Sequence, residues 1–258
     1  MKWIGKILKR LLLLALILAV AACGLIIYQG KSMYEEAVSR QSIPDRVQEL
    51  KESEDYVPLE SISSYFLNAV VSIEDRNFYS HGAVSFSSTA RAIINNFKSK
   101  SFSEGGSTIT QQVAKNLCFS QEKKLSRKVA EIFAAIELEN EFSKDQILEI
   151  YVNLNYYGDG YYGIRQASVG YFGTEPAYLT ASQATLLAGL PQAPSVYALS
   201  GNAEKAYERQ QEVVDSMVEN RYISEEDAEW ILSEKPYPPK SSTGSLSQRD
   251  VSSQEEEE

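Results

Sequence analysis

The stretch GGSTITQQVAKNLCFSQEKKLSRKVAEIFAAIEL, residues 105–138, decides how this chain folds. Thr108 and Gln111 form a Ser/Thr-x-x-Glu/Gln capping box, in which each side chain satisfies a backbone amide at a helix start. Leu125, Val129, Ile132 and Ile136 then recur at i, i+4, i+7 and i+11, the period of a helix with one apolar stripe. Working outward, Ser143 with Gln146 and Thr180 with Gln183 repeat the capping box. The last of these helices runs through ATLLAGL and must stop before Pro191, whose ring clashes with the preceding turn. No alternating run is long enough to need a large sheet, so the expected class is mainly α.

The same stretch carries charge in a pattern. Arg127 and Glu131 stand four apart on the face opposite the apolar stripe. An exposed pair of this kind contributes well under ~1 kcal/mol. Ala134 and Leu138 share its face, however, so the helix reads as enclosed on both sides, and an enclosed ion pair marks a candidate site. The Gly105-Gly106 turn opens a helix whose first amides can receive phosphate or carboxylate. Lys115 and Arg127 follow as cations able to hold such an anion, Arg in a bidentate grip and Lys as a point charge.

Upstream, Glu74 and Asp75 follow the apolar segment FLNAVVSI and precede His81, the single histidine of the chain. One histidine excludes a His-cluster metal site and leaves any Ser-His triad dependent on that residue. A partly desolvated glutamate such as Glu74 can act as base toward a hydroxyl. The tyrosines of NYYGDGYYGI (155–164) could stack on sugar rings or pack the core.

Residues 11–28 are uncharged and mostly apolar, about the length that spans a bilayer's hydrocarbon. Lys2, Lys6, Lys9 and Arg10 precede them, which assigns residues 1–10 to the cytoplasm and the remainder to the outside. Val20-Ala21-Ala22-Cys23 also resembles a lipoprotein cleavage box, but Leu25, Ile26 and Ile27 continue the apolar run, and an uncleaved span is the preferred reading. Cys118 then stands alone outside, without an intramolecular disulfide partner. Residues 29–56 read as a polar juxtamembrane stalk, 57–238 as the folded domain and 239–258 as a disordered acidic tail.

The 258-residue chain carries a net charge of −10. Setting aside the four N-terminal cations leaves 21 basic against 35 acidic residues, or −14, which argues against nucleic acid as a partner. Between residues 91 and 128 the balance reverses, with eight basic residues and two acidic ones. That local excess points to an anionic ligand or lipid headgroups.

EDRNFYSH (74–81), GGSTITQQVAKN (105–116), RKVAE (127–131), KDQILEIYVN (144–153) and GYYGIRQASVGYFG (160–173) resemble, in order and spacing, the five motifs of the family 51 peptidoglycan glycosyltransferases. These are the bacterial polymerases of lipid II, found alone or fused to penicillin-binding transpeptidase domains. The resemblance covers residues 57–197 and implies a lysozyme-like helical glycosyltransferase domain with a jaw, here 91–103, that dips into the membrane. By motif position, Glu74 is implied as the base toward the acceptor's 4-hydroxyl. Glu131 is implied as a second acid near the donor pyrophosphate, with Mg2+ or Mn2+ as a cofactor it could hold. Lys115 and Arg127 match the pyrophosphate-gripping pair. Asp75, Phe78, His81, Ser107, Thr108, Gln112 and Asn116 match positions that line or brace the cleft, and Glu149 and Asn153 match a structural motif. One departure is Ser85, where the family shows Asp. The implied setting is a bacterial cell membrane crossed once, with lipid II, the growing glycan chain, membrane lipids and a separate penicillin-binding transpeptidase as partners. Ser120-Gln121-Glu122-Lys123 and Ser200-Gly201-Asn202 mimic transpeptidase motifs, but no Lys-Thr-Gly follows. Two rival readings are a muramidase or lytic transglycosylase, also built on carboxylates, and a non-catalytic lipid II-binding scaffold.

Overall fold

In the computed structural model, described for residues 2–85, 106–120 and 124–237, the chain is helical and no strand forms among the described residues. The expected jaw at 91–103, Gly105 of the glycine turn and the expected tail at 239–258 lie outside the described residues.

Helix α1, Lys2–Arg40, runs unbroken through the apolar segment and twelve residues beyond it. Its leucines at 11, 12, 13, 14, 16 and 18 are all exposed on an isolated cylinder. A helix apolar on every side is stable only when something other than water surrounds it. Among the described residues it is the one helix long and apolar enough to cross a membrane, which fits a single-pass anchor.

The segment 29–56 differs from the polar stalk expected for it. Its first part continues α1, and α2, Ile43–Lys51, follows after a short elbow. Ile43 and Val47 are buried in the same core as the domain, with Tyr34 and Val38 packed against it. Apolar residues at 34, 38, 43 and 47 are too few to stand out in a charged sequence, yet each finds a partner once the helices fold back. Arg46 locks the elbow by donating to the carbonyls of Ala37 and Gln41 behind it, at 3.1 Å each, and to that of Leu117 at 3.3 Å.

The core is built from α3, Ser64–Asp75, α4, Ile109–Cys118, α5, Leu125–Glu141, α6, Lys144–Leu154, α7, Gly163–Phe172, and α8, Ala181–Gly189. Helices α9, Pro194–Tyr197, α10, Leu199–Glu219, and α11, Glu225–Ser233, complete it. The three anticipated capping boxes form at Thr108, Ser143 and Thr180. A fourth forms at Ser224 with Asp227, a shorter acid that a search for Glu or Gln passes over. Helix α8 is buried on nearly all sides and packs against α3 and α10. Its buried polar groups are satisfied, because Gln210 Nε2 donates to the Ser182 carbonyl and to Thr185 Oγ1, each at 2.9 Å.

Helix α5 turns a different face to the core from the one its pattern suggests. Leu125 is 73% exposed and Ile136 is also exposed, while Ala130, Glu131, Ala134, Ala135 and Leu138 are buried. Small alanines let α4 and α5 approach closely, while the side of α5 that carries Val129 and Phe133 meets α1. There a Cβ on Gly30 would stand 2.5 Å from Val129 Cβ. Tyr34 stacks on Phe133 at 5.9 Å and its hydroxyl donates to Glu137. The contacts advance together along both helices, so α5 runs parallel to α1 with its first turn at the level of residue 30.

Gly30→Leu is expected to force α1 away from α5, since the Cβ clash is with a β-branched side chain that cannot swing clear. Hydrogen–deuterium exchange should then speed up for amides of residues 29–40 while α8 stays protected. Parent-like exchange at 29–40 would contradict the close approach.

Candidate active site

Glu74 and Asp75 end α3 and diverge in role because successive residues point to different sides of a helix. The Asp75 carboxylate is buried. It meets His81 Nε2 at 2.7 Å through Oδ1 and accepts from the Ile109 amide at 3.2 Å through Oδ2. His81 Nδ1 lies 2.7 Å from the Gly82 carbonyl. Both ring nitrogens thus face acceptors, and the ring bridges its own loop to α3.

Of the two anions these amides could receive, phosphate or carboxylate, the one met at Ile109 is a carboxylate. The anion at the start of α4 is the protein's own Asp75, with Thr108 capping the Gln111 amide at 3.1 Å and donating to the Ala83 carbonyl at 2.7 Å. Thr108 is buried, so it braces the turn instead of touching a ligand. Phe78 is likewise wholly buried, beneath the Lys144 ammonium at 4.4 Å from its ring centre, and has no surface for substrate. Glu149 and Asn153 hold segment 56–59: Glu149 Oε2 accepts from the Leu59 amide, and Asn153 accepts from the Val57 amide and donates to its carbonyl, all at 2.9 Å.

Helix α4 then offers one face, Gln112, Lys115 and Asn116, at the i, i+3, i+4 spacing that aligns side chains. Gln112 Nε2 donates to Glu74 Oε2 at 2.6 Å, and Asn116 Nδ2 donates to Asn155 Oδ1 at 2.8 Å. Lys115 forms no ion pair or hydrogen bond with a described residue. Its pKa is lowered first by burial and further by the Lys128 and Arg127 charges, against the opposing pull of Glu131 and Glu74. Lys115 therefore lies within electrostatic reach of both acids.

At the other end Glu131, 1% exposed, sits between two cations. Lys128 Nζ is 2.9 Å from Oε2 and also donates to Ser107 Oγ at 2.8 Å. Arg127 Nε approaches Oε1 at 3.0 Å, but neither atom has a hydrogen bond of proper geometry, so this contact is ionic only. Arg127 Nη1 donates to the Ser120 carbonyl at 3.0 Å. Lys128 was legible only as one member of a basic run; its reach to Glu131 follows from i, i+3 spacing.

These surroundings do not fit a metal at Glu131. Both carboxylate oxygens face cations, and no group of three His, Cys, Asp or Glu side chains converges among the described residues. A divalent ion needs several oxygen ligands in place of adjacent positive charge.

Arg209 of α10 is a site residue that the sequence does not advertise. Its guanidinium, buried, lies 3.9 Å from Glu74 Oε1 and is paired on its other side with Glu212. Gly189 makes room for it, since a Cβ there would lie 2.8 Å from Arg209 Cγ. A distance of 135 residues in sequence hides this contact from any local pattern.

The fold and site together define a helical domain behind a helix long and apolar enough to cross a membrane, with a carboxylate held by α4 and a cluster of cations on α5. A profile of the family described as Transglycosylase matches residues 41–218. Penicillin-binding protein 2D of Bacillus subtilis is 42% identical over 179 residues, which is 69% of this chain and 26% of that protein. Penicillin-binding protein 1A of Aquifex aeolicus is 41% identical over 174 residues, 67% of this chain and 24% of the relative. Penicillin-binding protein 1F of Bacillus subtilis is 38% identical over 177 residues, 69% and 25% respectively. The chain belongs to the transglycosylase family, and it spans about a quarter of the length of these relatives.

Asp75→Ala is expected to destabilise the protein by about 1–3 kcal/mol, the cost of leaving buried donors unsatisfied. Thermal unfolding of the detergent-solubilised protein measures this, and an unchanged midpoint would mean that Asp75 does not join α3 to α4.

Proposed function

We propose that the chain is a peptidoglycan glycosyltransferase that polymerises lipid II into β-1,4 glycan strands by inverting transfer from an undecaprenyl-pyrophosphate donor. The observation that carries this reading is the Gln112 and Lys115 face of α4: Gln112 holds Glu74, and Lys115 lies within electrostatic reach of Glu74 and of the Arg127–Lys128–Glu131 cluster of α5. In this reading Glu74 is the base, and the cations suit a leaving pyrophosphate.

The acceptor's 4-hydroxyl oxygen attacks the donor's anomeric carbon on the face opposite the pyrophosphate. Glu74 takes the hydroxyl proton as the new C–O bond forms. The bond to the pyrophosphate breaks, its electron pair leaves on the phosphate oxygen, and the α-linked centre becomes β. Lys115, Arg127 and Lys128 stabilise the developing charge. No step runs through a metal ion.

Membrane height supports the lipid-linked donor. Residue 30, against which Val129 packs, is two residues past the apolar run, about 3 Å along the axis at the rise of a helix. The first turns of α5, with Arg127 and Lys128, therefore lie at headgroup level, with Leu125 directed at the lipid. In this reading the basic N-terminus is cytoplasmic, the domain is extracytoplasmic in a bacterial membrane, and a separate penicillin-binding transpeptidase cross-links the product.

Glu74→Gln is expected to cut polymerisation of lipid II by about 10²–10⁴-fold, since an amide cannot accept the proton. Gel separation of the glycan products tests it. Near-parent chain growth would remove Glu74 from the reaction, release of fragments from finished polymer would favour a muramidase, and lipid II binding without growth in the parent would favour a scaffold.

Lys115 carries its charge below its lowered pKa and loses it as pH rises through that value. Lys115→Arg should therefore extend the alkaline limb of activity to higher pH. An unchanged limb would show that Lys115 ionisation does not govern it.

A further inference from the structure

Beside the cluster on α5 lies a cavity that the reaction does not use. Its volume is about 350 Å³, at the low end for a small-molecule site, and its walls come from the upper part of α1, from α2, and from the residues that close α4 and open α5. Of the residues placed in the candidate active site, Arg127 alone lines it among the described residues. The cavity is therefore a neighbour of the catalytic cluster, with one shared wall.

Three arginines line it: Arg40, Arg46 and Arg127. One carboxylate, Glu36, joins them, and it is paired with Arg40 one turn away. Arg127 Nη1 donates to the carbonyl of Ser120, another wall residue, while its Nε approaches Glu131, which Lys128 also holds. Four cations thus gather around two carboxylates. Arg46 is the least compensated of them. It is half-buried, three of its five N–H groups go to carbonyls, and no carboxylate pairs with it among the described residues. A desolvated charge without a counter-ion is costly, so an anion entering this cavity meets a cation that needs one.

The height of the cavity says where that anion comes from. Met33 and Arg40, both on α1, stand five and twelve residues past the apolar run, about 8 and 18 Å along the axis at the rise of a helix. Arg127 stands lower, because Val129, two residues after it, packs on Gly30. The headgroup layer takes up about 5–8 Å of each leaflet. The lower wall therefore lies within that layer, and the other arginines continue upward from it. Met33, Ala37 and Phe119 add apolar surface beside the charges, which suits an amphipathic anion better than a bare ion.

We propose that this cavity binds the headgroup of an anionic phospholipid, its phosphodiester set among Arg40, Arg46 and Arg127. The proposal rests on the reading of α1 as the membrane anchor. The volume admits a phosphate with its glycerol and leaves the acyl chains in the bilayer. Arg127 faces both this cavity and Glu131, so an occupant is coupled to the catalytic cluster through one side chain.

Cys118 lines the same cavity and serves as the reporter, its thiol pushed up to about 11 by burial against the pull of Arg46. In the full chain carrying Cys23→Ser it is the one thiol. That protein is reconstituted in vesicles of phosphatidylcholine, with or without phosphatidylglycerol, and alkylation of Cys118 by N-ethylmaleimide is followed by mass. Phosphatidylglycerol is expected to slow the alkylation several-fold. Arg40→Gln should weaken binding about fivefold, the worth of one cation beside anionic lipid, read from the phosphatidylglycerol content needed for half of the protection. Arg40→Lys should keep most of it. The drop in local pH at an anionic surface slows the thiol equally in all three proteins, so the comparison removes it.

Equal alkylation in the two kinds of vesicle would overturn the proposal. So would protection that Arg40→Gln leaves unchanged, since the lipid would then act through surface potential and not through the cavity. Protection of the same size by inorganic phosphate in phosphatidylcholine vesicles would overturn it in favour of a free anion. Flotation separates the two levels: a chain that floats with phosphatidylcholine vesicles yet shows no protection loses the proposal alone, whereas a chain that does not float loses the anchor as well.

Discussion

A buried carboxylate at a helix junction is the constraint on which the site depends. Asp75 ends α3, where the helix dipole disfavours negative charge, and it is kept there by the first amide of α4 and by His81. That arrangement fixes the end of α3 against the start of α4. It thereby sets Glu74, one residue earlier, beside Gln112 on the α4 face. The anion-binding capacity of a helix N-terminus is spent here on architecture, and the cations available to a ligand come from side chains further along.

A second constraint fixes the site relative to the membrane. A flexible stalk would leave the height of the domain above the bilayer undefined. Instead α1 continues as one helix from lipid into the domain and packs through Gly30 against Val129. Val129 and Phe133 of α5 serve this contact, on a different side of the helix from the small inner face that carries a buried acid. Arg127, Lys128 and Glu131 are therefore held at a fixed height relative to the apolar run of α1.

The charges in the site are arranged as a gradient. Arg209 and Gln112 hold Glu74, Lys115 stands unpaired among the described residues, and Arg127 and Lys128 neutralise Glu131. A fully neutralised Glu131 is poorly suited to proton transfer or metal binding. It is better suited to orienting Lys128, which donates to its Oε2, with Arg127 in ionic contact at Oε1.

The amino-acid sequence by itself determined the helical class, the three capping-box starts, the apolar span and the residue types of the site, because each is written in spacings of three or four residues or in an unbroken apolar run. Lys115, Arg127 and Glu131 were legible as chemistry from charge and helical spacing and Glu74 from its residue type, while Gln112 was implied only by the family resemblance. Only the tertiary structure decided that Thr108 and Phe78 are braces, that residues 29–56 belong partly to the core, and that the Val129 and Phe133 side of α5 faces α1. It also brought Arg209 to Glu74. Those outcomes depend on contacts between residues 25 to 135 positions apart, whose cost in chain entropy is repaid only when the whole core closes. No local pattern can register an interaction whose partner is supplied by another helix.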